Sequence, residues 1–245
     1  MNNDDTPRGR LLSRREMLAL LGASGAALAT GKALGVPRLR AATARLPSCV
    51  VRPEQTEGPY FVDERLHRSD IRSDPVNGAV SPGVPLALTF LVSRVASSSC
   101  APLAGAQIDV WQCDALGVYS DVTDRSFTTV GQRFLRGHQF TDAAGRAAFQ
   151  TIYPGWYPGR AVHIHFKIRT PAGSTPSAEF TSQLYFEDAL TDRVHRLAPY
   201  VTKGEGRVRN SGDRIYRRGG DQLVLAPSPV GDAYEATFAV GLELG

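Results

Sequence analysis

Short apolar runs separated by Gly, Pro, Asp and Ser dominate the chain from residue 86 onward. Residues 86–92 read Leu-Ala-Leu-Thr-Phe-Leu-Val, and residues 106–111 alternate apolar and polar side chains up to Trp111. Further runs cover 137–141, 146–152, 162–168 and 182–186, and Asp142-Ala-Ala-Gly145 is a turn signal between two of them. Successive side chains on a strand face opposite ways, so runs of this length and punctuation predict strands. Their number and spacing predict an all-β fold, a two-sheet β-sandwich with long loops and few short helices. Residues 188–197 are the one helix candidate, and two late strands, 222–225 and 233–240, are expected to close the second sheet. The stretch 43–85 is rich in Pro, Gly, Asp and Arg and predicts an extended N-terminal arm with turns. With no internal repeat and no domain-scale linker, the simplest division is a leader at 1–42, the arm at 43–85 and one catalytic domain at 86–245.

Composition changes this picture little: the 245 residues are 42% hydrophobic and 21% charged, enough for one sizeable core. The net charge of +4 is mild, and many cations sit in the leader or between Lys203 and Arg218. No basic-aromatic stripe of the kind nucleic acid requires is present, so nucleic-acid binding is not expected. The leader says more. Ser13-Arg14-Arg15-Glu16-Met17 precedes an Ala-, Leu- and Gly-rich run over 18–28, followed by small residues. The run is apolar on all sides, which favours an export signal over an amphipathic helix, and too short for a good membrane span. The Arg pair resembles a twin-arginine signal, so the expectation is an exported protein, periplasmic or extracellular and not membrane-embedded. Cleavage after Ala29 or near residues 41–44 fits equally. An oxidising compartment permits a disulfide, for which Cys49 and Cys100 are candidates, whereas Cys113 reads as a buried apolar side chain.

The chemistry centres on His163-Ile164-His165. On a strand, positions i and i+2 share a face, so both imidazoles project together while Ile164 and Phe166 face the other way. Such a pair suits Zn, Fe, Cu or Ni and does not choose among them. The preceding Tyr153-Pro-Gly-Trp156-Tyr157-Pro-Gly-Arg160 is a loop framed by Pro and Gly, able to hold an aromatic at a set distance from the histidines. A phenol with its pKa near 10 becomes a ligand only where something favours ionisation, and a trivalent iron does so. Zinc rarely needs phenolates. His67, His138 and His195 receive no role; His138 reads as a packed residue and His195 as a surface one, and Trp111 reads as packing.

Val110-Trp-Gln-Cys-Asp-Ala-Leu-Gly-Val-Tyr119 together with Tyr157, Arg160 and His163-Ile-His165 resembles the intradiol ring-cleavage dioxygenases, the protocatechuate and catechol dioxygenase family. Gln55-Thr-Glu-Gly58-Pro-Tyr60 and Ser182-Gln183-Leu-Tyr-Phe186 resemble two further family segments. The resemblance implies one Fe(3+) per chain, bound by Tyr119, Tyr157, His163 and His165. It implies that Tyr119 stays on iron and Tyr157 leaves when substrate binds. Arg160 would stand beside the substrate ring and Gln183 close to the site, with Gly58, Tyr60 and Trp156 as further pocket candidates. The implied partners are a small catecholic substrate and O2, and a homo-oligomer is possible. The stretch from Tyr157 to His163 is shorter than in enzymes acting on protocatechuate, which leaves the substrate open. The competing readings are a non-catalytic exported β-sandwich binding module and a different His-x-His metalloenzyme.

Overall fold

The computed structural model describes residues 50–244 apart from 97, 98, 175 and 176. The export signal read at 1–42 and residues 43–49, Cys49 among them, lie outside the described residues. Two five-stranded sheets pack face to face. The first is built on β1 (Pro85–Ala96), which runs parallel to β10 (Ala233–Glu243) from the Leu86–Tyr234 pair to the Val95–Glu243 pair. The other edge of β1 pairs antiparallel with β5 (Arg146–Ile152) and β2 (Ser99–Pro102), and β9 (Ser228–Val230) flanks β10. In the second sheet β3 (Gln107–Trp111) lies between β4 (Arg136–Phe140) and β6 (His163–Arg169). There β7 (Glu179–Phe186) follows β6, and β8 (Val224–Leu225) closes the edge. The predicted all-β sandwich is the observed fold.

Alternation along the strands explains the core. Leu86, Leu88, Phe90 and Val92 of β1 point inward and are buried; Ile164, Phe166 and Ile168 of β6 meet them from the opposite sheet. The Phe166 ring lies 5.2 Å from Phe90 and 5.6 Å from Phe238. Burying a ring of this size contributes roughly 1.5–3 kcal/mol over leaving it in water. The second face of β6 carries His163, His165 and Lys167, and these are buried too. The arm makes this possible. Its Gln55 N–H donates to the Thr181 carbonyl at 2.9 Å, and its Pro53 carbonyl accepts from Ser182 Oγ at 2.8 Å. Phe61 packs on Trp111 at 4.8 Å, and the Lys167 ammonium sits 4.4 Å above Phe61 while pairing with Glu57 and Glu179. The arm is therefore the roof of the second sheet.

Several expectations shift. The two late strands split: β8 joins β7, while β10 enters the first sheet beside β1. Gly220–Leu223 forms a 3-10 turn where the start of a strand was expected. The helix α1 (Asp188–Val194) stops short of residue 197. His195, expected at the surface, is half-buried at its end, stacked on Tyr200 at 5.1 Å with Nε2 3.1 Å from the Pro154 carbonyl. Edge strands β2 and β9 are short and mostly exposed, so no apolar alternation announces them. Cys100 is disulfide-bonded, its candidate partner Cys49 lies outside the described residues, and Cys113 is free and buried. Among the described residues no helix is long and apolar enough to cross a membrane.

Candidate metal centre

Because β6 alternates, His163 and His165 stand side by side under the arm, with their Nε2 atoms 3.0 Å apart. His163 Nδ1 donates to the Ala161 carbonyl at 2.6 Å, which leaves the Nε2 lone pair facing the centre. His165 is held by its neighbours' shapes: the Trp111 indole stacks on it at 5.0 Å and 9°. On the other side Gly58 comes so close that a Cβ there would lie 3.2 Å from the imidazole.

Two loops bring the phenols. The loop after β3 is curled by Asp114, whose carboxylate accepts from Leu116 N and Val118 N. It delivers Tyr119, which is 1% exposed. The Tyr119 carbonyl accepts from Thr129 Oγ1 at 2.6 Å, and Tyr60 stacks on its ring at 4.4 Å. The second loop, between β5 and β6, delivers Tyr157, whose hydroxyl lies 3.2 Å from His163 Nε2. The loops touch through glycine. A Cβ on Gly117, where φ is +80°, would come 2.1 Å from the Trp156 carbonyl oxygen, and one on Gly155 would come 2.3 Å from the Ala115 carbonyl. Gln112 adds a bridge, donating to the Ile152 carbonyl at 2.9 Å.

Arg160 reaches the same point from the end of the second loop. Its Nη1 lies 3.5 Å from both Tyr157 Oη and His163 Nε2. Its Nη2 donates to Gln183 Oε1 at 2.5 Å, and Gln183 Nε2 donates to the Thr56 carbonyl of the arm at 2.9 Å. Its Nε donates to Asp213 Oδ2 at 2.9 Å.

The electrostatics favour neutral side chains as they stand. Burial raises the pKa of Tyr119 and of Tyr157, with each other's charge adding to the rise for Tyr119 and Arg160 opposing it for Tyr157. Burial also drives both imidazoles well below their ordinary range, assisted by Arg160 at His163 and by His163 at His165. The Tyr119 hydroxyl and His165 Nδ1 are buried without a hydrogen-bond partner among the described residues. An orphaned buried phenol beside two imidazole lone pairs is costly unless a cation takes all three. Among the described residues no group of three or more His, Cys, Asp or Glu side chains could hold a metal. A metal at this histidine pair would have the phenols of Tyr157 and Tyr119 as neighbouring donors. Hard, anionic phenolate oxygens beside imidazole suit a trivalent iron.

The structure thus gathers Tyr119, Tyr157, His163, His165, Arg160 and Gln183, with Gly58 and Tyr60 on the arm side. Tyr60 Oη donates to Asp124 at 2.8 Å, and its pKa is pushed up to about 12 by burial and by that carboxylate. Trp156 turns elsewhere, against Gly206 and under the Lys203 ammonium. His67 and His138 stack on each other at 5.2 Å, with Phe140 edge-on to both. Sequence reasoning missed Asp213, which lies in a stretch rich in Arg and Gly with no apolar pattern, and took Trp111 for packing alone.

A dioxygenase family model matches residues 56–201, beginning inside the arm and ending beyond α1. Protocatechuate 3,4-dioxygenase beta chain of Burkholderia cepacia is 34% identical over 122 residues, which is 46% of this chain and 51% of that protein. Catechol 1,2-dioxygenase of Candida albicans is 31% identical over 135 residues, 47% of this chain and 41% of that protein. The chain thus spans about half the length of these two curated relatives. The solved intradiol ring-cleavage dioxygenase of Tetranychus urticae superimposes with a TM-score of 0.69 at 29% identity, covering 80% of this chain and 96% of that one.

The close approach of the loops is open to measurement. Gly117→Ala adds the steric conflict with Trp156 to left-handed strain of about 1–3 kcal/mol, whereas Gly131→Ala, at φ +86° with nothing within 4 Å, adds strain alone. Urea denaturation should place the first variant clearly below the second; equal midpoints would contradict the packing.

Proposed function

The chain belongs to the dioxygenase family that its residues 56–201 match, and from that premise we propose that it opens the ring of a catechol-type aromatic with O2. Cleavage falls between the two hydroxylated carbons and gives a muconate-type diacid. One Fe(3+) is held by Tyr119, Tyr157, His163 and His165. The observation that carries this reading is the buried cluster of two imidazole Nε2 atoms 3.0 Å apart, with a phenol 3.2 Å from one of them and a second phenol that has no hydrogen-bond partner among the described residues. When bound, ferric iron supplies Lewis acidity, a template for the two catechol oxygens, and a route by which the ring becomes electron-rich enough to meet O2.

The two tyrosines have different parts. Tyr119 is buried, roofed by Tyr60 and fixed through its own carbonyl, so it stays. Tyr157 is half-buried on a loop framed by Pro158 and Gly159, and it is the tyrosine we assign to leave. As it leaves, its Oη accepts a proton from one substrate hydroxyl, which lets the catechol bind as an anion at little net change of charge. Arg160 presents Nη1 toward the vacated position, a permanent cation that stabilises negative charge developing on the ring without needing a proton. Gln183 holds Nη2 of Arg160 in place and is itself tied to the arm. The His163 Nδ1–H bond to Ala161 fixes that imidazole's tautomer and direction.

The leader belongs to the same proposal: the Arg14-Arg15 pair directs a twin-arginine-type export that carries the folded protein outward. Replacing both arginines by lysine should retain the full-length chain in the cytoplasm; unaltered export in a fractionated culture would remove that part. For the chemistry, the iron-loaded chain given catechol, hydroxyquinol or protocatechuate under labelled O2 should place both oxygen atoms in a ring-opened diacid. Intact substrate with every catechol tried, or label in only one position per product, would overturn the assignment.

A further inference from the structure

Asp213 is 0% exposed and sits just beyond the 3-10 turn Asn210–Gly212. Its Oδ1 accepts from Ile215 N at 2.7 Å and Tyr216 N at 3.1 Å, so the carboxylate is anchored by the turn that follows it. Its Oδ2 accepts twice, from Arg160 Nε at 2.9 Å and from the Ala161 backbone N–H at 2.8 Å. The carbonyl of that same Ala161 receives the His163 Nδ1–H at 2.6 Å. A single carboxylate oxygen therefore touches both the guanidinium beside the centre and the peptide that aims one of its imidazoles.

From this geometry we propose that Asp213 is a positioning residue for both halves of the centre, setting the orientation of Arg160 and, through the Ala161 peptide, that of His163; the inference rests on the dioxygenase reading above. An arginine has many rotamers, and a guanidinium that must meet a reacting ring gains from having that freedom removed beforehand. Here Asp213 takes the Nε edge and Gln183 takes Nη2, which leaves Nη1 as the group pointed at Tyr157 Oη and His163 Nε2, 3.5 Å from each. The negative charge also matches the arginine where both are largely shielded from water, with side-chain exposures of 15% for Arg160 and 0% for Asp213. A buried pair of this kind holds direction because each partner is expensive to leave alone. The coupling spans 53 positions of sequence and joins the loop before β6 to the segment after α1.

Asp213→Asn in the full iron-loaded chain keeps the shape and removes the charge. Per bound iron, its kcat should fall about 10–100-fold, the usual effect of losing a group that orients a metal ligand or its neighbour, while the visible band of the tyrosinates persists. Arg160→Gln should fall comparably, and the double variant should fall by clearly less than the product of the two single losses, because part of what Asp213 does passes through that guanidinium. Activity of Asp213→Asn within about twofold of the wild type, or losses that multiply in the double variant, would overturn the proposal. A readout independent of catalysis covers a variant that does not fold. In the metal-free wild-type chain, the nitrogen-15 NMR signals of Arg160 Nε–H and His163 Nδ1–H should exchange slowly with water; rapid exchange of both would sink the positioning role. Slow exchange in a chain that cleaves no catechol would instead show that the dioxygenase reading had failed and the lock had not.

Discussion

Everything at the centre depends on β6 being buried on both faces. Ile164, Phe166 and Ile168 are fixed in the core by Phe90 and Phe238, and the strand's period of two then leaves His163 and His165 no freedom but to face the arm. A slip of one residue would put imidazoles into the hydrophobic core, so the energy of the core sets the register of the site. The arm completes the arrangement by covering the imidazole face, which removes water from it. Roof, strand and core are one mechanical unit, and the matched family segment begins within that roof.

Burial of the site creates an electrostatic problem that a cation would solve. Neutral imidazoles and neutral phenols are what burial prefers, yet among the described residues the Tyr119 hydroxyl makes no hydrogen bond of good geometry. A trivalent ion reverses that preference, since phenolate oxygens next to it are favoured over phenols. The permanent cation Arg160 stands beside this group, and its charge is matched by Asp213 at its Nε edge. The two tyrosines differ in restraint: one under a stacked ring, the other on a glycine-flanked loop. That difference is mechanical, and under the proposed function it would let one remain as the other leaves.

Much of this was legible in the sequence for a physical reason. Alternation in β1, β5 and β6 is local, and so is the same-face placement of His163 and His165. The Pro/Gly frame around Tyr157 is local as well. What was not legible is long-range. The parallel pairing of β1 with β10 joins the two ends of the sandwich, and nothing near either strand announces it. Trp111 reads as core until its ring is found flat against His165. Asp213 lies among arginines that look like a solvated surface, although Arg207 and Arg209 in the same region are engaged with Asp188 and Asp192. The arm's role was half visible: Gly58 and Tyr60 pointed toward the site, while the closure of a whole sheet face by residues 53–61 required the fold.

The central claim is that phenolate oxygens and imidazoles of this chain hold one ferric ion. The direct measurement is a titration of the metal-free protein with Fe(III), followed by visible absorption and paired with Tyr119→Phe. The account predicts a broad visible band that grows to one iron per chain, gives a burgundy solution, and weakens strongly when Tyr119 loses its oxygen. A protein that stays colourless at saturating iron, or a band that Tyr119→Phe leaves unchanged, would contradict it.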